Sequence, residues 1–215
     1  SASPWRDSGD DILIEAVGGP KIYDLPASTL IKENFLVKPI INFINVPPMP
    51  SVGSNYQEVY KNYIVENEQR NDLIKKSAQK LVAQGKKVLI LVVRVNHGKK
   101  ICEVLGDDLR VDYLDGKKST KQRLQSIQDM KDGFTDVLVA SKIFDQGVDI
   151  PELDALILAG SGKSTGRALQ RIGRVIRKYP GKEKAIVIEF MDNCKYLKNH
   201  SEVRMEVYKT EKEFQ

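Results

Sequence analysis

The sequence predicts an α/β fold built on a mainly parallel sheet. Short apolar runs of strand length alternate with longer segments of helical period, which is the pattern of successive strand–helix–strand units. The residues of unusual chemistry fall in the stretches after the strands, where ligands collect in open parallel sheets. A third observation bounds the unit: Val46-Pro47-Pro48-Met49-Pro50 blocks both helix and central strand, so it reads as a linker.

Taken in order, residues 1–50 are punctuated by Gly and Pro and read as an extension with one edge strand, Ile40 to Val46. Leu73, Ile74, Ser77, Ala78, Leu81 and Val82 form one stripe of a helix that stops at Gly85. The strands that follow are Lys87 to Val93, Val111 to Leu114, Val137 to Ala140, Ala155 to Ala159 and Ala185 to Phe190. Between Gly116 and Gly133, Ser119 with Gln122 three residues on makes a capping box, and Leu124 and Ile127 supply an apolar stripe. The expected division is residues 1–50 as extension and linker and 51–215 as the main domain.

With 41% hydrophobic and 29% charged residues, the chain can bury a full core. A formal net charge of +5 favours an anionic partner. The longest apolar runs, such as Val88 to Val93, fall far short of the roughly 20 residues of a membrane span, and no basic leader with an apolar run opens the chain. The expectation is a soluble, non-secreted protein, cytoplasmic or nuclear, acting as a monomer. Cys102 and Cys194 are far apart and fit no metal knuckle or disulfide framework, which suggests reduced, buried thiols. His97 and His200 lack a second ligand at metal spacing, and Trp5 and the eight tyrosines show no stacking array along the sequence.

Three constellations carry chemistry. In Gln170-Arg171-Ile172-Gly173-Arg174-Val175-Ile176-Arg177, Leu169, Ile172 and Ile176 lie on one helical stripe, and Gln170, Arg174 and Arg177 share the opposite face. Crowded guanidinium groups repel one another, so phosphate groups would complete such a site; a solvated basic face is the plainer alternative. In Ser141 through Asp149, a hydroxyl ends a strand, Gly147 permits close backbone approach to a phosphate, and Asp149 can accept from a ribose hydroxyl; an ordinary connecting loop is the alternative. Gly160-Ser161-Gly162-Lys163-Ser164-Thr165 imitates a P-loop, but Ile157 stands where that motif needs its first glycine.

Together these motifs resemble those of superfamily 2 helicases, in the right order over nearly the whole chain. Gln170 to Arg177 matches the QRxGRxxR pattern of motif VI at every fixed position. Ser141 through Asp149 resembles motif V, departing at Gln146, where many relatives carry Arg. Ser1-Ala2-Ser3 resembles motif III, and Leu89 to His97 resembles motif IV. The opening Ser1 to Arg6, the stretch before motif VI and the run after it are similar to the repair-type group of XPB-like and phage UvsW-like DNA helicases.

The resemblance implies a RecA-like (P-loop NTPase-like) three-layer sandwich, the second lobe of a two-lobe motor with ATP between the lobes. Residues 1–50 would then hold the end of the first lobe. Arg174 and Arg177 would be catalytic, acting on the γ-phosphate. Gly147, Asp149 and Gln170 would contact the nucleotide, and Arg94, Asn96, His97, Ser141 and Lys142 the nucleic-acid backbone. ATP and Mg²⁺ would be bound mainly by the first lobe. DNA is the expected track, though these residues do not separate it from RNA. No Walker loop and no DEAD or DE-x-H box is found, so the expectation is a piece of a longer enzyme that does not hydrolyse ATP alone. Two other readings compete: a non-catalytic nucleic-acid-binding module, and a small P-loop kinase using Lys163 and Ser164.

Overall fold

The computed structural model describes residues 16–20, 22–23, 25–49, 53–141, 150–160, 162, 165–211 and 213–214, with the backbone only for 165–167. Six strands form one all-parallel sheet: β1 (Lys38–Val46), β2 (Val88–Leu91), β3 (Val111–Leu114), β4 (Val137–Ala140), β5 (Ala155–Leu158) and β6 (Lys184–Asp192). Their spatial order is β1-β6-β5-β2-β4-β3. The strand before the proline linker therefore closes one edge of the sheet, paired with β6 along its whole length. It begins two residues earlier than the sequence indicates, at Lys38-Pro39, because an edge strand tolerates a proline's missing donor.

β2, β4 and β5 are buried at every position, so they read as unbroken apolar runs. Alternate side chains feed two separate cores. On one face Val88, Ile90, Val139 and Ile157 pack with Ile74, Ala78 and Leu81 of α3 (Glu68–Ala83) and with Ile101 and Leu105 of α4 (Val95–Leu105). On the other, Leu89, Leu91, Leu138 and Leu156 pack with Met130 of α5 (Thr120–Lys131) and with Ile172 and Val175 of α6 (Thr165–Val175). The last helix, α7 (Lys195–Thr210), gives Leu197 to the first core and Tyr208 to the second. Two short helices, α1 (Ala27–Lys32) and α2 (Tyr56–Val59), are also present, with a wide helical turn, Tyr60–Val65, continuing α2 and a tight one, Gly106–Asp108, ending α4.

The capping signals act as read. Ser119 accepts from the Gln122 amide while the Gln122 side chain accepts from the Ser119 amide, so two otherwise unsatisfied donors at the start of α5 are used. Gly85 follows α3 with φ +72°, the left-handed conformation that ends helices. Among the described residues no helix is long and apolar enough to cross a membrane. Both cysteines are free thiols; Cys194 is buried, while Cys102 is only half-buried, packed against the first core.

Candidate functional site at the two edges of the sheet

Because all strands are parallel, their carboxyl ends share one edge and their amino ends the other. At the carboxyl edge β2 leads through Arg94 into α4. The Arg94 guanidinium lies 4.5 Å from the centroid of the Tyr60 ring and donates to Gln57 Oε1. Asn96 is exposed, its Oδ1 accepting from the His97 amide at 3.0 Å. Residues 95–97 are thus the first turn of a helix and not the loop expected from the sequence. The extended backbone of Arg94 starts that turn, at φ −105° and ψ 139°.

His97 is fully buried, with Nε2 3.3 Å from Asn71 Oδ1. Burial, assisted by the nearby Arg70 charge, holds its pKa down at about 3. Its expected contact with nucleic acid is therefore withdrawn, because a neutral imidazole inside the core meets no phosphate. At the end of β4, Ser141 is buried and its amide donates to Leu114 O at 3.1 Å. Gly160 ends β5 so close to β2 that an added Cβ would stand 2.6 Å from the Val93 nitrogen. Ile157 is fully buried inside β5, so the P-loop imitation has strand where a phosphate loop needs glycine.

One buried cation ties this edge together. Arg70 Nε donates to Asp192 Oδ1 at 2.8 Å and Nη1 to Ala159 O at 2.6 Å, and its guanidinium lies 4.6 Å from the Phe190 ring centroid. The ends of β5 and β6 are held by that one side chain.

The motif VI residues lie at the opposite edge. The sequence placed Arg174 and Arg177 at the strand carboxyl ends, but a helix that follows a parallel strand runs back along the sheet. Arg174 consequently sits in the last turn of α6, about 13 Å of β5 away from the carboxyl ends. Arg177 lies beyond the helix, which ends at Val175, and forms an antiparallel bridge with Leu36 just before β1. Gln170 and Arg177 are exposed and Arg174 is half-buried, while Leu169, Ile172 and Ile176 are buried as their stripe requires. Arg171 turns inward, where its charge acts on the Tyr208 hydroxyl. Gln170, Arg171, Arg174 and Arg177 all interact with neighbouring groups.

A lysine organises this second edge. Lys182 Nζ donates to Pro151 O at 3.0 Å, and to Leu153 O and Val175 O. The segment that leaves motif V is thereby joined to the end of the motif VI helix. Ile150, buried, accepts from the Leu153 amide. Gly147, Asp149 and Lys142 lie outside the described residues, as do Gln146, Ser1 to Arg6, Ser161, Lys163 and Ser164. The chain nevertheless delivers the residue after Asp149 to the edge that carries Arg174 and Arg177.

Sequence reasoning missed Arg70, Lys182 and Arg204. Arg204 is buried against Glu189, with Nε to Oε1 at 3.1 Å and Nη2 to Oε2 at 3.2 Å, and its Nη1 donates to Gly162 O just before α6. The signal for both arginines was present. Arg70 continues the stripe of Ile74, Ala78 and Leu81, and Arg204 that of Leu197, Ser201 and Tyr208. A cation on the buried stripe of a helix needs a carboxylate inside the sheet, and Glu189 and Asp192 stand in the apolar run of β6.

A RecA-like lobe with a motif VI helix at one edge is the second, C-terminal lobe of superfamily 2 helicases. The family defined as the helicase conserved C-terminal domain matches residues 69–179, more than half of the chain, and the chain belongs to that family. It is 32% identical over 144 residues to the ATP-dependent DNA helicase uvsW of Enterobacteria phage T4, a match covering 66% of this chain and 28% of that protein. It is also 32% identical over 120 residues to UvrABC system protein B of Pseudomonas aeruginosa, covering 53% and 18% respectively. The crystal structure of T4 UvsW matches with a TM-score of 0.65 at 28% identity, over 81% of this chain and 40% of that one. The C-terminal domain of the DEAD-box protein Dbp5 shares the fold at 14% identity, with a TM-score of 0.54 over 81% of this chain and 84% of that one. The chain spans at most 37% of the length of the first curated relatives it matches.

Among the described residues no group of three or more His, Cys, Asp or Glu could hold a metal ion. At the amino edge a groove of about 360 Å³ is lined by Asn34, Leu36, Lys38, Lys178, Lys182 and Glu183, beside the bridge between Leu36 and Arg177.

Proposed function

We propose that the chain is the second motor lobe of an ATP-driven DNA translocase, with nucleotide at the amino edge of its sheet and nucleic acid at the carboxyl edge. The observation that supports this division is the opposite placement of Arg174 and Arg177 on one side and Arg94, Asn96 and Ser141 on the other. Arg174 and Arg177 neutralise charge developing on the γ-phosphate, Asp149 and Gly147 receive the nucleotide at the ribose and phosphates, and Gln170 serves the nucleotide or the lobe interface. Arg94, Asn96, Ser141 and Lys142 contact backbone phosphates without reading sequence. A first lobe would supply the carboxylates that hold Mg²⁺ and the Walker lysine that contacts the phosphates.

Residues 1–50 form the passage from that lobe, ending in β1, which joins this sheet, and 51–215 form the rest of the motor lobe. Closure of the two lobes completes the site and converts nucleotide state into motion along the track. The protein acts as a monomer in the cytoplasm or nucleus, and these residues alone do not turn over ATP. The test is steady-state ATPase of the full-length protein with titrated DNA. Arg174→Ala and Arg177→Ala are expected to cut stimulated turnover at least about a hundredfold, the scale of a lost transition-state donor. Arg174→Lys rescues only in part, since an ammonium lacks the planar fork. Unchanged turnover in both Ala variants would remove the reading.

A further inference from the structure

The carboxyl edge assembles an aromatic strip from tyrosines that show no array along the sequence. The Tyr56 ring centroid lies 6.0 Å from that of Tyr60, 6.1 Å from that of Tyr196 and 5.8 Å from the His200 imidazole. Cations stand at both ends. Arg94 stacks on Tyr60 beyond β2, and Lys195, at the start of α7 beyond β6, donates from Nζ to Gly53 O. These ends are two strand spacings apart in the sheet, about 10 Å.

Beside the strip opens a groove of about 600 Å³ lined by Lys195, Tyr196, Asn199 and His200. Tyr196 stays 46% exposed there. Lys195 holds φ +25°, a conformation unusual for a residue with a side chain, and such strain gathers at functional sites. An open groove with an exposed ring and an ammonium at its rim suits a ligand that is aromatic and anionic at once.

We propose that this groove is a stacking site for one base of a single-stranded polynucleotide, the base resting on Tyr196 and the adjoining phosphate lying at Lys195. The proposal rests on the assignment of nucleic acid to the carboxyl edge and extends its track from Arg94 at β2 to the far side of β6. Stacking on an aromatic face accepts any base, which suits a strand that slides, and the cations follow its backbone. Nothing in the contact requires a particular sugar, so DNA and RNA strands share it.

Fluorescence anisotropy of the 215-residue chain with labelled oligo(dT) and oligo(U) tests this. Tyr196→Ala is expected to weaken binding about five- to a hundredfold on at least one of the two, the range of a lost base stack, while Tyr196→Phe binds as the parent does. Lys195→Ala should lower the salt slope by about one unit. Circular dichroism melts of each variant show that the fold is intact. If Tyr196→Ala binds both oligonucleotides as tightly as the parent while Arg94→Ala is weakened, the stacking site is overturned, the groove falls to a protein ligand, and the edge assignment stands. If the parent chain binds neither oligonucleotide, both fall.

Discussion

At the carboxyl edge the buried cation Arg70 is met by a carboxylate, Asp192, whereas at the amino edge Lys182 is met by neutral carbonyls of Pro151, Leu153 and Val175. The partner carboxylate offsets the cost of burying the guanidinium, and the planar fork of an arginine fits it with two donors. At the amino edge burial outweighs the attraction of Asp154 and Glu152 and brings the Lys182 pKa down to about 8. The edge assigned to nucleic acid is thus a fixed platform. The edge assigned to nucleotide, where two separate segments must meet, is joined by a weaker and titratable tie.

The largest effect should come from breaking the platform. Arg70→Leu leaves Asp192 buried without its partner and is expected to cost about 3–5 kcal/mol in urea unfolding, while the double variant Arg70→Leu with Asp192→Leu recovers much of that loss. A small single-variant cost would mean that Ala159 and Asp192 are held by other contacts.

Next in size is an acid effect. His97 is neutral in the fold, with its pKa at about 3 against about 6.5 unfolded, so the unfolded chain binds more protons between those values. The His97 contribution should be level above about pH 6.5 and fall as the pH drops toward 3, and His97→Gln should flatten that slope at the cost of some stability. Urea midpoints from pH 7 to 4 measure it, and equal slopes in both chains would mean that His97 is not held neutral.

Smallest is the amino-edge tie. Lys182 carries a depressed folded pKa, so below about pH 8 the fold bears the cost of a buried charge, and the cost lifts as the pH rises toward the unfolded value of about 10.5. The stability of the parent relative to Lys182→Met should therefore grow between pH 8 and 10. A constant difference would show that the carbonyls hold the charged form as well as water does.

The central strands were legible because parallel strands covered on both faces are apolar at every position, so Val137 to Ala140 coincides with β4 and Ala155 to Ala159 runs one residue past β5. Motif VI was legible as a pattern of fixed residues, and its stripe of Leu169, Ile172 and Ile176 is buried. Its location was not. The rule that ligands gather at strand carboxyl ends applies to loops that leave strands, whereas Arg174 belongs to the far end of the helix that follows. The tyrosine strip escaped notice because Tyr56 and Tyr196 are 140 residues apart and meet only through the pairing of β1 with β6.

The central claim is that nucleotide chemistry and nucleic-acid grip occupy opposite edges of one sheet. It is tested most directly by measuring DNA affinity and ATP turnover on the same full-length variants, Arg174→Ala and Arg94→Ala. The account predicts that Arg174→Ala binds DNA nearly as the parent does but loses about a hundredfold or more in turnover, while Arg94→Ala needs more DNA and regains near-normal turnover once saturated. Joint loss of both properties in each variant would contradict it.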